Sequence, residues 1–302
     1  MICRLGYPGG TAMKIGQGSR HDLISRRGTL ALLGAIVAMR NAGAAEQAIM
    51  QPVSLDHVNI RVSSVARTAE FYMGLFDTPI LRSAALRAQP NSPPSEGFFL
   101  RFGDGYLAIS QAFAPDMPGL DHYSLGLRDY DKAKLAAKLQ QNGTPAQARS
   151  SADVWLSDLD GSMMQLRPPG GWARQNATPY QGPARAGPAF SPLTISRIAL
   201  RSADLARAGD FYRRLFGAEI ASAASSRSRA FSIGDAILEL VSPNPTSPSS
   251  IGLDHIRIAV KDFAIDTATR ILRERGIEMS AASGAVHIAD PDGTRIELAA
   301  VG

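Results

Sequence analysis

Three of the five histidines in the chain share one context: LDHVNIRV (His57), LDHYSLGL (His122) and LDHIRIAV (His255). Each opens a run of alternating apolar and polar residues, the pattern of a strand with one buried face. Val58, Ile60 and Val62 take one parity, and His57, Asn59 and Arg61 take the other. The histidines are therefore expected on the polar, open face. Imidazole is a common metal ligand, so its recurrence at equivalent strand positions points to a metal-site scaffold made of repeats. A fourth copy, TISRIALR, puts Arg197 in the same place.

The elements around these strands repeat too. SSVARTAEFYMGLF returns as SADLARAGDFYRRLFG, with Phe71/Phe211, Tyr72/Tyr212 and Phe76/Phe216 each offset by 140, as are His57 and Arg197. WLSDLDGSMMQL returns as HIADPDGTRIEL, pairing Gln165 with Glu297 at an offset of 132. A register kept through a helix and several strands means two homologous halves, and each half divides again at its second LDH strand. The spacing predicts strands at 53–62, 121–128, 194–201 and 254–261, each followed by an amphipathic helix and then by hairpin strands. The unit is βαβββ, used four times, in an α+β fold. Residues 168–192, with six prolines and four glycines, read as a linker, and Pro90 to Ser95 as a polar loop suited to a flap.

The composition, 45% apolar, suits two globular domains with sizeable cores. The net charge of +5 belongs to residues 1–44, which hold six Lys/Arg against one Asp; the remainder is balanced and gives no reason to expect nucleic acid or an anionic membrane as a partner. Ser25-Arg26-Arg27-Gly28-Thr29-Leu30, an apolar stretch to Met39 and the small-residue Ala42-Gly43-Ala44 read as a twin-arginine export signal. Its apolar stretch is too short to span a bilayer, which takes ~20 residues, so no stable membrane anchor is expected. The predicted location is periplasmic or secreted, with Met1 and Met13 both open as the start. Cleavage near Ala44 would also remove Cys3, the only cysteine. Gly-rich phosphate loops, a nucleophile elbow and paired cysteines are lacking, so nucleotide-dependent, serine-hydrolase and thiol-redox activities have no support.

The DH strand, the FYxxLF helix end and the DPDGxxIEL ending resemble the vicinal oxygen chelate superfamily, which includes glyoxalase I, extradiol dioxygenases, bleomycin and fosfomycin resistance proteins and methylmalonyl-CoA epimerase. The resemblance covers residues 53–167 and 193–299, so 53–167 and 193–300 read as two domains. It implies that pairs of βαβββ units form cupped sheets, with a divalent metal (Fe, Zn, Ni or Mn) on the concave face. It further implies ligands from the first strand of each unit and from the last strand of the second. That carries over to His57, His122 and Gln165 in the first half, with Ala108 at an optional fourth place. In the second half it gives Glu239, His255 and Glu297, with Arg197 where the first ligand belongs.

Neither set is the two-histidine, one-carboxylate triad of ferrous oxygenases. An amide oxygen can ligate but cannot take a proton, and a guanidinium cannot ligate at all. Two readings therefore stand for each half. His57 and His122 hold a metal, or they line a pocket that has lost one. Arg197 fills an abandoned site by pairing with the carboxylates, or it binds an anionic substrate beside a metal. Asn59, Arg61, Arg128 and Arg197 are candidate substrate-binding residues, and Phe99 and Trp155 candidate pocket walls. His287 is a strand-end residue or a pocket acid or base. The expected function is that of an exported metal-dependent enzyme, glyoxalase-like or dioxygenase-like, acting on a small substrate that chelates through adjacent oxygens. The alternative is a non-catalytic small-molecule binder of the bleomycin-resistance kind; either could be a monomer or a homodimer.

Overall fold

The computed structural model describes residues 48–81, 97–147, 153–170, 173, 177–178, 187–220, 227–243 and 251–301. The predicted leader and the 90–95 loop lie outside them. Four βαβββ-like units follow one another, with three strands of the second and of the third among the described residues. The first is β1 (Pro52–Val62), α1 (Val65–Leu75), a short β2 (Ile80–Leu81), β3 (Gly97–Phe102) and β4 (Gly105–Gln111). The second is β5 (Gly119–Leu127), α2 (Lys132–Gln141), β6 (Val154–Ser157) and β7 (Met163–Arg167). After a two-residue β8 (Ala177–Thr178), the third is β9 (Pro192–Arg201), α3 (Leu205–Phe216), β10 (Ser228–Ile233) and β11 (Ala236–Val241). The fourth is β12 (Gly252–Val260), α4 (Ile265–Glu274), β13 (Ser280–Ala282), β14 (Ala285–Ala289) and β15 (Arg295–Ala299).

Units one and two make a sheet ordered β6-β7-β5-β1-β4-β3-β2-β8, and units three and four one ordered β10-β11-β9-β12-β15-β14-β13. Within each unit the first and last strands pair in parallel; the two first strands of each half, β1/β5 and β9/β12, join antiparallel. The helices begin where polar caps allow. The Ser64 side chain accepts from the Arg67 amide, Asp131 from Lys134, and Asp204 from both Ala206 and Arg207. The predicted linker is only partly a spacer, because Phe190 is buried and its amide bonds the Leu75 carbonyl. No helix among the described residues is long and apolar enough to cross a membrane.

The inward parity of the strands (Val58, Ile60, Val62; Ile256, Ile258, Val260) packs on the helix faces, and one continuous core runs through both halves. The seam is reciprocal. Gly103 and Gly234, both at positive φ in hairpin turns, press so close to the backbone of Leu193 and Val53 that neither has space for a Cβ. Tyr212 of α3 donates to Asp158 in the first half at 2.8 Å and meets the Tyr123 hydroxyl at 2.9 Å. Tyr72 of α1 reaches Asp290 in the second half at 3.4 Å, and Ser63 and Thr68 bond Asp292. Burial raises the carboxyls of Asp158 and Asp290 above the usual range. Each half thus receives the other's DxDG turn.

Candidate metal centre

The site begins with a backbone irregularity. Along β1/β5 the pairing runs Leu55↔Leu125 and then His57↔Ser124, skipping Asp56; further on, Asn59↔His122 is followed by Ile60↔Leu120, skipping Asp121. Along β12/β9 the register skips Asp254 and Ser196. Every copy of the motif therefore carries a β-bulge at the residue before the histidine or, in the fourth copy, before Arg197. In a regular strand, neighbouring side chains point to opposite faces. The bulge lifts that restriction, and in each LDH the aspartate reaches its own histidine.

The bonds are Asp56 Oδ2 to His57 Nδ1 at 2.8 Å, Asp121 Oδ2 to His122 Nδ1 at 2.5 Å and Asp254 Oδ2 to His255 Nδ1 at 2.8 Å. An ionised carboxylate only accepts, so each Nδ1 carries a proton and, while the ring is neutral, Nε2 keeps its lone pair. In the first half these two lone pairs converge, with His57 Nε2 and His122 Nε2 2.9 Å apart. Neither can donate to the other while both rings are neutral. Burial, partly offset by Asp56, pushes the His57 imidazole down to about 4, so a shared proton is a poor remedy there. A divalent ion suits the pair. Each Nε2 would offer it a lone pair, and neither ring would have to give up a proton.

Arginines support both carboxylates. Arg167 lies 3.3 Å from Asp56, and Arg61 lies 3.5 Å from Asp121 and 2.8 Å from Asp116. Gln165 is a strand away: His57 and Gln165 both pair with Ser124 from opposite sides, and His122 is two residues back along β5. Its amide nitrogen donates to Asp153 at 2.6 Å, which leaves Oε1 as the donor atom available to a cation. Two imidazoles and an amide oxygen are a donor set whose chemistry suits a divalent ion. Among the described residues no group of three or more His, Cys, Asp or Glu is so arranged, so the set depends on the glutamine.

The face carrying this set is not open, contrary to the strand pattern. His57, His122 and Gln165 are 4%, 8% and 8% exposed. Tyr106 stacks on His57 with ring centres 4.4 Å apart, Trp155 meets His122 edge-on at 4.9 Å, and Phe99 packs on Tyr106. Tyr106, Ala108, Leu81 and Ala173 form a small apolar cluster on this side. Ala108 thus lines the site and offers no ligand. Cavities of about 700, 560 and 410 Å³ among the described residues are not lined by His57, His122 or Gln165; the first lies between the two DxDG turns beside Arg201, Asp254 and Arg295, and the third reaches Asp56.

The second half is wired differently. Arg197 donates to Glu239 at 2.7 Å, and Arg257 to Glu297 at 2.6 Å. Arg197 was expected beside both carboxylates; it meets one, and Arg257 takes the other. His255 Nε2 is 3.2 Å from Glu297 Oε2, within ion-pair reach though without hydrogen-bond alignment. Burial alone would lower the His255 imidazole and raise the Glu297 carboxyl. Their partners outweigh it, leaving the histidine raised and the carboxyl well below its ordinary range. All three candidate ligands are engaged with cations or with each other, so this donor set does not fit a metal.

The remaining predicted site residues divide. Asn59 lies opposite His122 but accepts from the Ser110 hydroxyl at 2.9 Å. Arg61 serves Asp121. Arg128 does not share the histidine face as its parity suggested: β5 ends at Leu127, and Arg128 is exposed in the following turn beside Ile49 and Lys138. His287 pairs across the strands with Glu297 as Trp155 does with Gln165, which bears out their equivalence. The aspartates at 56, 121, 153 and 254 and the stacking Tyr106 were not singled out, although a thrice-repeated Asp-His dipeptide was a signal for three of them.

Residues 194–298 match the family model described as the Glyoxalase/Bleomycin resistance protein/Dioxygenase superfamily. Among curated proteins none matches the chain. Among solved structures the chain is similar to a catechol 2,3-dioxygenase, at 15% identity and a TM-score of 0.61 over 82% of this chain and 88% of that one. It is also similar to the 2,3-dioxygenase LapB of Pseudomonas sp. KL28, at 16% identity and 0.60 over 82% and 92%. A third is homoprotocatechuate 2,3-dioxygenase of Brevibacterium fuscum, solved with 3,4-dihydroxyphenylacetate, at 13% identity and 0.60 over 83% and 81%. At such identities the likeness is one of fold.

Proposed function

We propose that this chain is an exported vicinal oxygen chelate protein whose first half binds a divalent metal through His57, His122 and Gln165, and through it a small substrate with two adjacent oxygens. The observation that carries the reading is the convergence of two unprotonated Nε2 atoms at 2.9 Å, each fixed from behind by its own aspartate. Such outer carboxylates set the tautomer and strengthen the ligand. A bound divalent ion would supply Lewis acidity toward a vicinal diol or hydroxy-carbonyl. The chain's own contribution is to orient the donors, exclude water with Tyr106, Trp155 and Phe99, and support the carboxylates with Arg61 and Arg167. Catechol-type compounds are the first substrates to test, because a protein of the same fold is solved with a dihydroxy aromatic acid. The second half, with its ligand positions in ion pairs, is assigned a supporting role.

Metal analysis of protein purified without chelators, beside His57→Ala and His255→Ala, tests this. The expected result is near-stoichiometric metal lost only with His57→Ala; loss only with His255→Ala, or no metal even after reconstitution, would overturn it. A second reading, a metal-free binder of the bleomycin-resistance kind, is favoured by the near-complete enclosure of the histidine pair. It predicts ligand binding that survives exhaustive chelation.

A further inference from the structure

We infer that Asp153 is the displaced carboxylate of the first-half centre: it holds the Gln165 amide so that Oε1 is the oxygen offered to the metal, and it keeps the site's negative charge one hydrogen bond away. This rests on the metal reading above.

An isolated glutamine presents oxygen and nitrogen almost interchangeably, and an amide nitrogen facing a cation is repulsive. The 2.6 Å bond from Gln165 Nε2 to Asp153 Oδ2 removes that ambiguity, because a carboxylate can only accept. Its acceptor is an ionised carboxylate, which makes it a charge-assisted bond, and drawing on the N–H increases electron density on the amide oxygen. The arrangement repeats what is built behind the histidines: His57 leans on Asp56, His122 on Asp121, and Gln165 on Asp153. One difference separates the third. Asp56 and Asp121 each meet an arginine, Arg167 and Arg61, whereas among the described residues no lysine or arginine lies within ion-pair reach of Asp153. Among the described residues, two of the three outer charges are therefore matched by cations and the third is not. A pair of imidazoles and one such carboxylate carry the formal charge of a two-histidine, one-carboxylate triad, with the carboxylate outside the first ring of donors. Asp153 is a positioning residue on this account; it acts through Gln165.

The test is a charge swap at constant total charge. Co²⁺ affinity is measured by competition with a chromophoric chelator for the wild type, His57→Ala, Asp153→Asn, Gln165→Glu and the double variant Asp153→Asn/Gln165→Glu, with thermal unfolding recorded alongside. Asp153→Asn should lose roughly tenfold or more in affinity, the usual range for an outer partner. Gln165→Glu alone sets two carboxylates against each other and should gain little. The double variant, with the carboxylate moved to position 165 and an amide behind it, should bind at least as tightly as wild type. That rescue cannot come from Asp153 serving the fold alone. Unchanged affinity in Asp153→Asn, or a double variant no tighter than Asp153→Asn, would overturn the inference while metal lost in His57→Ala still upheld the site. No Co²⁺ binding by the wild type would overturn both.

Discussion

The Asp–His pairs at 56–57, 121–122 and 254–255 are chemically alike, yet their outer nitrogens face different things. In the first half the two Nε2 atoms face each other; in the second, His255 faces Glu297. Asp56→Asn or Asp121→Asn should therefore weaken metal binding by about 10–100-fold with little loss of helix signal, measured by chelator competition. The His255–Glu297 pair should instead appear in stability. His255 is raised above 6.5, so its contribution is complete below that value and lost as pH rises through its folded pKa. Glu297 is lowered from 4.5, so its contribution is complete above that value and lost as pH falls through its folded pKa. Between about 4.5 and 6.5 both act. Denaturant midpoints of wild type should fall on either side of that window, and His255→Gln should flatten the alkaline limb. The histidines were legible in the sequence because a scarce residue recurred in a fixed frame. Their aspartates were not, since strict alternation assigns neighbours to opposite faces and only a bulge brings them together.

Element boundaries were the most legible feature. The strands expected at 53–62, 121–128, 194–201 and 254–261 are found at Pro52–Val62, Gly119–Leu127, Pro192–Arg201 and Gly252–Val260, because alternation and periodicity over several residues survive in any tertiary context. The short strands β2, β8 and β13, of two or three residues, are too brief to show alternation. Arg128 was misplaced because parity was counted past the end of its strand. The open face was misjudged because a strand pattern shows which parity is polar, not what another segment lays over it. At this scale the hairpin glycines are the sharpest test. Gly234→Ala adds a Cβ at φ +81° that would stand 2.0 Å from the Val53 carbonyl oxygen. The positive φ alone costs roughly 1–2 kcal/mol, and forcing the seam apart about 1–3 more. Urea unfolding should show that loss, and Gly103→Ala should match it. Gly143→Ala, with open space around it, should cost the backbone portion only.

At the scale of the whole molecule the halves exchange contacts about one continuous core. Tyr212→Phe leaves Asp158 and Tyr123 without their shared partner and should lower stability by about 1–3 kcal/mol, read as a reduced urea midpoint. Export is tested on the full chain: replacing Arg26 and Arg27 together by lysine keeps the charge, and should strand the protein in the cytoplasm by cell fractionation. The bulge before Arg197 has a different kind of consequence. It persists in a copy where Ser196 replaces the aspartate and no histidine is held, so the kink is written in the strand pairing and outlasts the chemistry it serves elsewhere. Ser196→Asp with Arg197→His would therefore set a fourth Asp–His step on a bulge already in place, beside Glu239 and His255, while Arg257 kept its hold on Glu297. The frame decides which neighbours can meet; the side chains decide only what they do on meeting.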